Sequence, residues 1–198
     1  MRLTVLLAIL LLCYDSVSAQ KCELTLEQAP ELRGFKLGMT VTQARVKLPG
    51  VVFPKPDENG ELTLFLTGTS LRKSDPAATG DVRNGVLTFF DGRLVSLGIG
   101  YGDSVKWDNV DEFVFTVAQS LGLPPIWPRR TSRTDDYGDS EVYSAERNLF
   151  CPGFLISVRL SKLRRPPASI TMMDRSYPTR QAERRRDLEE RKKSRFKP

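Results

Sequence analysis

The chain has 198 residues, a formal net charge of +6 and no histidine. Histidine is the commonest metal ligand and the one side chain that titrates near neutrality unperturbed. Its absence excludes Ser-His-Asp and Cys-His catalysis and His-ligated zinc. Residues 20–174 carry 19 basic and 19 acidic side chains, whereas residues 175–198 carry ten and four, so the basic character belongs to the C-terminal tail.

Met1-Arg2 supplies a positive start, Leu3 to Leu12 is an apolar run, and Val17-Ser18-Ala19 offers small residues for cleavage. This pattern predicts a secretory signal peptide over residues 1–19 and a secreted or periplasmic protein. A membrane span needs about 20 apolar residues, roughly twice this run. Lipidation at Cys13 is disfavoured, because Leu12 stands where a bacterial lipoprotein carries a small residue. The remaining residues suit one domain, or two small repeats sharing a core, and a domain of that size buries about 70% of its unfolded surface. Only Cys22 and Cys151 then remain, and in an oxidising compartment they are expected to pair. Neither lies in a C-x-x-C spacing, so no redox role is expected.

Along the body, Thr40-Val41-Thr42-Gln43 reads as a capping box opening a short helix with Val41, Ala44 and Leu48 on one face. Leu62, Leu64 and Leu66 alternate as in a strand. Gly68 to Asn84 is polar and reads as an exposed loop. Val86–Phe90 and Leu94–Ile99 flank Asp91-Gly92, which predicts a hairpin with a type I′ turn. A longer helix follows, capped by Asp108 or Asn109, with Val110, Phe113, Val117 and Leu121 as its buried stripe and Gly122 as its stop. Arg129 to Asp139 reads as a polar turn region. Glu141–Phe150, Phe154–Leu160 and Ala168–Met173 are predicted strands. The expected fold class is α+β, with two helices packed on antiparallel sheet. Two helix-plus-three-strand units, 34–102 and 103–174, are a possible subdivision of a single domain over 20–174, followed by a flexible tail over 175–198.

The segment Leu37-Gly38-Met39-Thr40 with Gln43-Ala44 resembles an element of the BamE-like (SmpA/OmlA) envelope lipoproteins and of the β-lactamase-inhibitor-protein repeats. In those families a Gly-Met-Thr entry leads into a helix packed on antiparallel strands. The resemblance covers Gly34 to Gly50, implies an envelope binding or scaffold module, and transfers no functional residue.

Several motifs carry little. Ser70-Leu71-Arg72-Lys73 matches the S-x-x-K of serine β-lactamases, but its companion elements are missing. Gly98 to Asp103 lacks the third glycine of a dinucleotide loop and reads as a twisted strand end. Asp135, Asp136, Asp139 and Glu141 do not follow the EF-hand spacing, so no metal is assigned. No catalytic residue and no cofactor are expected. Trp107, Trp127 and Tyr137 are candidates for a binding surface, with packing at the core edge as the competing reading. In the tail, Arg184, Arg185, Arg186, Arg191, Lys192, Lys193 and Arg195 form a cationic segment without an apolar face, where the i,i+4 pairs Asp187–Arg191 and Glu189–Lys193 also suit partial helix. It suits an anionic lipid surface or polymer better than insertion into a bilayer, and nucleic acid is a poor partner for an exported chain. The expected function is a non-enzymatic binding or scaffold protein of the envelope or extracellular space. An exported enzyme inhibitor and a hydrolase using carboxylates alone are the alternatives.

Overall fold

The computed structural model describes residues 21–74, 82–102, 107–137, 140–161 and 168–195, with only the backbone described at 74, 129–137 and 140–143. Residues 1–19, expected to be a signal peptide, lie outside the described residues. Seven strands form one antiparallel sheet: β1 (Glu61–Thr67), β2 (Val82–Phe90), β3 (Arg93–Tyr101), β4 (Arg129–Tyr137), β5 (Ser140–Phe150), β6 (Phe154–Ser161) and β7 (Ala168–Asp174). Their order across the sheet is β1-β2-β3-β7-β6-β5-β4. Two meanders, β1 to β3 and β4 to β7, thus meet where β3 pairs with β7. The α+β class holds.

Alternation along each strand becomes rows across the sheet. Leu64, Leu87, Leu97, Met172, Ile156 and Leu149 stand in register and are all buried. Each such side chain contributes roughly 1.5–3 kcal/mol on burial. The helices α1 (Val41–Lys47), α2 (Gly68–Ser74) and α3 (Val110–Leu121) supply Ala44, Leu48, Leu71, Phe113 and Val117 to the same core. The capping box at Thr40 and Gln43 is formed as the sequence predicts. Asn109 caps α3, accepting from the amides of Asp111 and Glu112, and Gly122 ends it in the left-handed region. At the hairpin, Asp91 and Gly92 have φ of 48° and 76°, the pair of positive values that a type I′ turn requires.

Three expectations need correction. Residues 68–74 form α2, not an exposed loop. The helix is legible only through Leu71, which is 1% exposed, and through Gly68, where a Cβ would lie 1.9 Å from the Val82 carbonyl oxygen. Residues 129–137 form strand β4 instead of a turn, so the second meander has four strands, not three. Its polar composition fits its place at the sheet edge, where charge discourages pairing with another chain. Finally, the tail is helix α4 (Tyr177–Arg195) in place of a flexible extension, making four helices among the described residues where two were expected.

Cys22 and Cys151 are bonded, with their Cα atoms 4.9 Å apart and both residues buried. The bond ties the start of the described chain to the turn between β5 and β6. A loop of 129 positions is closed, which on the chain-entropy argument stabilises the fold by about 4–5 kcal/mol. Cys22→Ser/Cys151→Ser is therefore expected to lower the unfolding free energy by several kcal/mol in urea titration, and intact mass of the oxidised protein should show the loss of two protons. An unchanged denaturation midpoint would show that the bond constrains little.

Candidate functional site

Alternation that buries one face of the sheet exposes the other. Two rows cross six strands on that second face. One is Thr63, Thr88, Ser96, Met173, Leu155 and Phe150; the other is Phe65, Val86, Gly98, Thr171, Ser157 and Asn148. Neither row contains a charge. The three helices α1 to α3 all feed the opposite face, and Phe65 and Phe150 are 77% and 49% exposed. The described residues thus leave a broad uncharged surface of hydroxyls flanked by aromatic rings.

Asn148 departs from its row. It is buried, and among the described residues neither its amide nitrogen nor its oxygen has a hydrogen-bond partner. Its neighbour Ser157 instead donates to Glu146 Oε1 at 3.0 Å. On the core side, the row of Leu66, Gly85, Ile99, Ile170 and Val158 ends on Arg147, which is 7% exposed. Its Nε and Nη2 donate to the two oxygens of Asp111, at 2.7 and 3.2 Å, in the first turn of α3. A buried guanidinium is tolerated there because it is paired bidentately.

At one end of the sheet the chain gathers acids. The turn at Asp57–Gly60 brings Glu58 and Glu61 beside the hairpin tip, where the Asp91 amide donates to the Gly60 carbonyl at 3.0 Å. Hydrogen bonds from Asn59 hold the Asp57 carboxyl below its usual range. The end of β7 adds Asp174. Helix α4 begins two residues beyond and crosses this acidic rim. Arg180 Nη2 lies 2.7 Å from Asp174 Oδ2, Arg184 Nη2 lies 3.0 Å from both Asp91 oxygens, and Lys192 Nζ lies 2.8 Å from Glu58 Oε1. Tyr177 and Gln181 both donate to Glu61 Oε2. Beneath them sits Phe90, 2% exposed, with the Tyr177 ring edge-on at 5.7 Å and the guanidinium carbons of Arg180 and Arg184 5.6 and 5.8 Å from its centroid. No residue of α4 is itself buried.

Of the three aromatic candidates for a binding surface, one lies inside the body. Trp127 is 4% exposed and its indole donates to the Pro124 carbonyl at 2.7 Å, which corrects its assignment to a surface. Trp107 stacks 4.1 Å from Phe113 and edge-on to Tyr101. Burial raises the Tyr101 hydroxyl above its ordinary value, with Arg33 opposing. The backbone at Tyr137 ends β4, and its side chain lies outside the described residues, as do those of Asp135, Asp136, Asp139 and Glu141. Of the tail cations, Arg184 and Lys192 are paired to the body, while Arg185, Arg186, Arg191, Lys193 and Arg195 are exposed. Ser70 and Lys73 lie on α2, where Ser70 shares a hydrogen bond with Thr67. Among the described residues no group of three or more carboxylates or cysteines is placed to hold a metal ion. No described helix is long and apolar enough to cross a membrane.

Sequence reading missed Phe90, Glu58, Glu61, Asp91 and Asp174 as a docking site. One signal was present: Phe89 and Phe90 are consecutive aromatics in a strand, which point to opposite faces, so both faces must be covered there. Comparison of the chain with protein-family models, curated proteins and solved structures finds no match.

Two outcomes follow from this geometry. Asn148→Leu removes two unbonded buried polar atoms at similar volume, and is expected to stabilise by on the order of 1 kcal/mol. For a domain this size that raises the melting temperature by about 2–4 °C; a fall would show that the amide is bonded in solution. Tyr177 is pushed up to about 12 by burial, then by its bond to the Glu61 carboxylate. Because the folded value exceeds the ordinary one, its contribution to α4 docking is complete below pH 10 and is lost as pH rises through about 12. Spectroscopic tyrosinate titration should show late ionisation at both Tyr101 and Tyr177, and Tyr177→Phe should remove one of the two.

Proposed function

We propose that this is an exported, non-enzymatic binding or scaffold protein that engages a protein partner with the uncharged face of its sheet. The observation that carries the reading is the pair of charge-free rows spanning six strands, with Phe65 and Phe150 exposed on them. At about 4.8 Å per strand and about 6.6 Å per same-face row, those two rows offer on the order of 400 Å², about half of what one partner contributes to a standard interface. Depletion of charge with retention of aromatic side chains is the composition of an interface centre. Threonine and serine hydroxyls there can hydrogen-bond without the desolvation cost of an ion.

Export is the part of the reading carried by residues 1–19, and the local resemblance of Gly34–Gly50 to envelope modules agrees with it. The chain acts outside the cytoplasm, secreted or periplasmic, and uses no cofactor. Its cationic C-terminal segment adds contact with an anionic polymer or lipid surface. The inhibitor reading, which would present the loops around Trp107, Trp127 and Tyr137, is weakened because Trp127 is buried and Trp107 is engaged with Phe113. A carboxylate hydrolase is weakened because Glu58, Asp91 and Asp174 are paired with cations of α4.

The test is chemical crosslinking and capture from the native envelope with the wild type and with Phe65→Asp/Thr171→Arg, which places two charges on the face. The variant should keep its melting temperature and lose the captured partner. Capture of the same partner by both proteins would sink the reading.

A further inference from the structure

Five of the cations of α4 fall on one side of it. At 100° per residue, Arg180, Arg184, Arg191, Lys192 and Arg195 share a sector with Tyr177 and Gln181, the residues that face the body. The other side mixes Arg185, Arg186 and Lys193 with all four acids of the segment, so it has no cationic excess. The stripe that could bind an anion is therefore the stripe turned towards the acidic rim. From Arg180 to Arg195 it runs about 22 Å.

We propose that α4 is an intramolecular latch: the acidic rim of Glu58, Asp91 and Asp174 competes with a linear anionic polymer for the same cations, and the polymer binds only when α4 leaves the body. This rests on the reading that the C-terminal segment contacts an anionic partner. A polymer fits better than a bilayer, because Tyr177 and Leu188 are the only apolar side chains on that sector. The latch is weak by construction. Its ion pairs at Arg184 and Lys192 are solvent-exposed and so screened by salt, and α4 buries none of its residues. Phe90 sets its position through one ring. When a binding-competent state is only partly populated, apparent affinity falls by that fraction. Weakening the rim must then tighten polymer binding without any change in the helix itself.

The experiment uses the full mature chain and inorganic polyphosphate at moderate salt. Four proteins are compared: the wild type, Glu58→Gln/Asp91→Asn on the rim, Glu23→Gln/Glu31→Gln away from α4, and Arg191→Gln/Arg195→Gln on the stripe. The second and third change net charge equally, and Asn suits the left-handed turn at position 91. The rim variant should bind several-fold tighter and show faster hydrogen exchange along α4, with the distant pair changing neither. Equal affinities for the rim and distant variants would overturn the latch alone. Polyphosphate binding that survives Arg191→Gln/Arg195→Gln unchanged would overturn the anionic-partner reading, and the latch with it. Binding of anionic phospholipid vesicles without binding of polyphosphate would overturn the choice of a linear polymer.

Discussion

The ladder between β3 and β7 joins two meanders that are far apart in sequence, and every other feature takes its position from that seam. Ser96 to Tyr101 pair with Met173 to Ala168. Without those bonds, β1 to β3 and β4 to β7 would be two small sheets, each with a long unpaired edge and half a hydrophobic face. Joined, they align six apolar side chains in a single row and give α1 to α3 one continuous surface to cover. The disulfide acts on the same problem from another direction, since it closes the longest loop in the body.

The seam also decides where the tail goes. Because β7 lies in the middle of the sheet, its C-terminal end emerges beside the β2–β3 hairpin tip and the start of β1. Those ends carry Asp174, Asp91, Glu58 and Glu61. A cationic helix leaving β7 meets an acidic rim within one turn. Phe90 gives the contact its geometry, through an edge-on tyrosine and two guanidinium groups near its face, while the charges give it affinity that salt can screen. A separate cationic extension on a neutral body is thus better described as a helix whose inward cations pair with one acidic rim of that body.

The same closure leaves an uncharged face. All three short helices lie on one side, where Ala44, Leu71 and Phe113 join the core. Along two rows the other side carries hydroxyls, glycine, one amide and a few large apolar groups, with Glu146 and Arg159 in the row beside them. The row that is apolar on the core face reaches Arg147, paired with Asp111, and its counterpart on the open face reaches Asn148, which has no partner among the described residues. Polar groups at the same strand therefore follow different rules on the two faces.

Local rules determined the capping box at Thr40, the type I′ turn at Asp91-Gly92, the caps of α3 and the alternating strands, since each depends on residues within a few positions. Cysteine count alone determined the Cys22–Cys151 pair once export was read from the first nineteen residues. The sequence could not show α2, whose polar turn is helical because Leu71 finds a slot over Gly85. Nor could it show β4, a charged segment that is a strand because β5 offers it a free edge. Only tertiary structure placed Trp127 inside and turned the cations of α4 inward. Periodicity reports which residues need a neighbour, but the order of strands decides which neighbour each one meets.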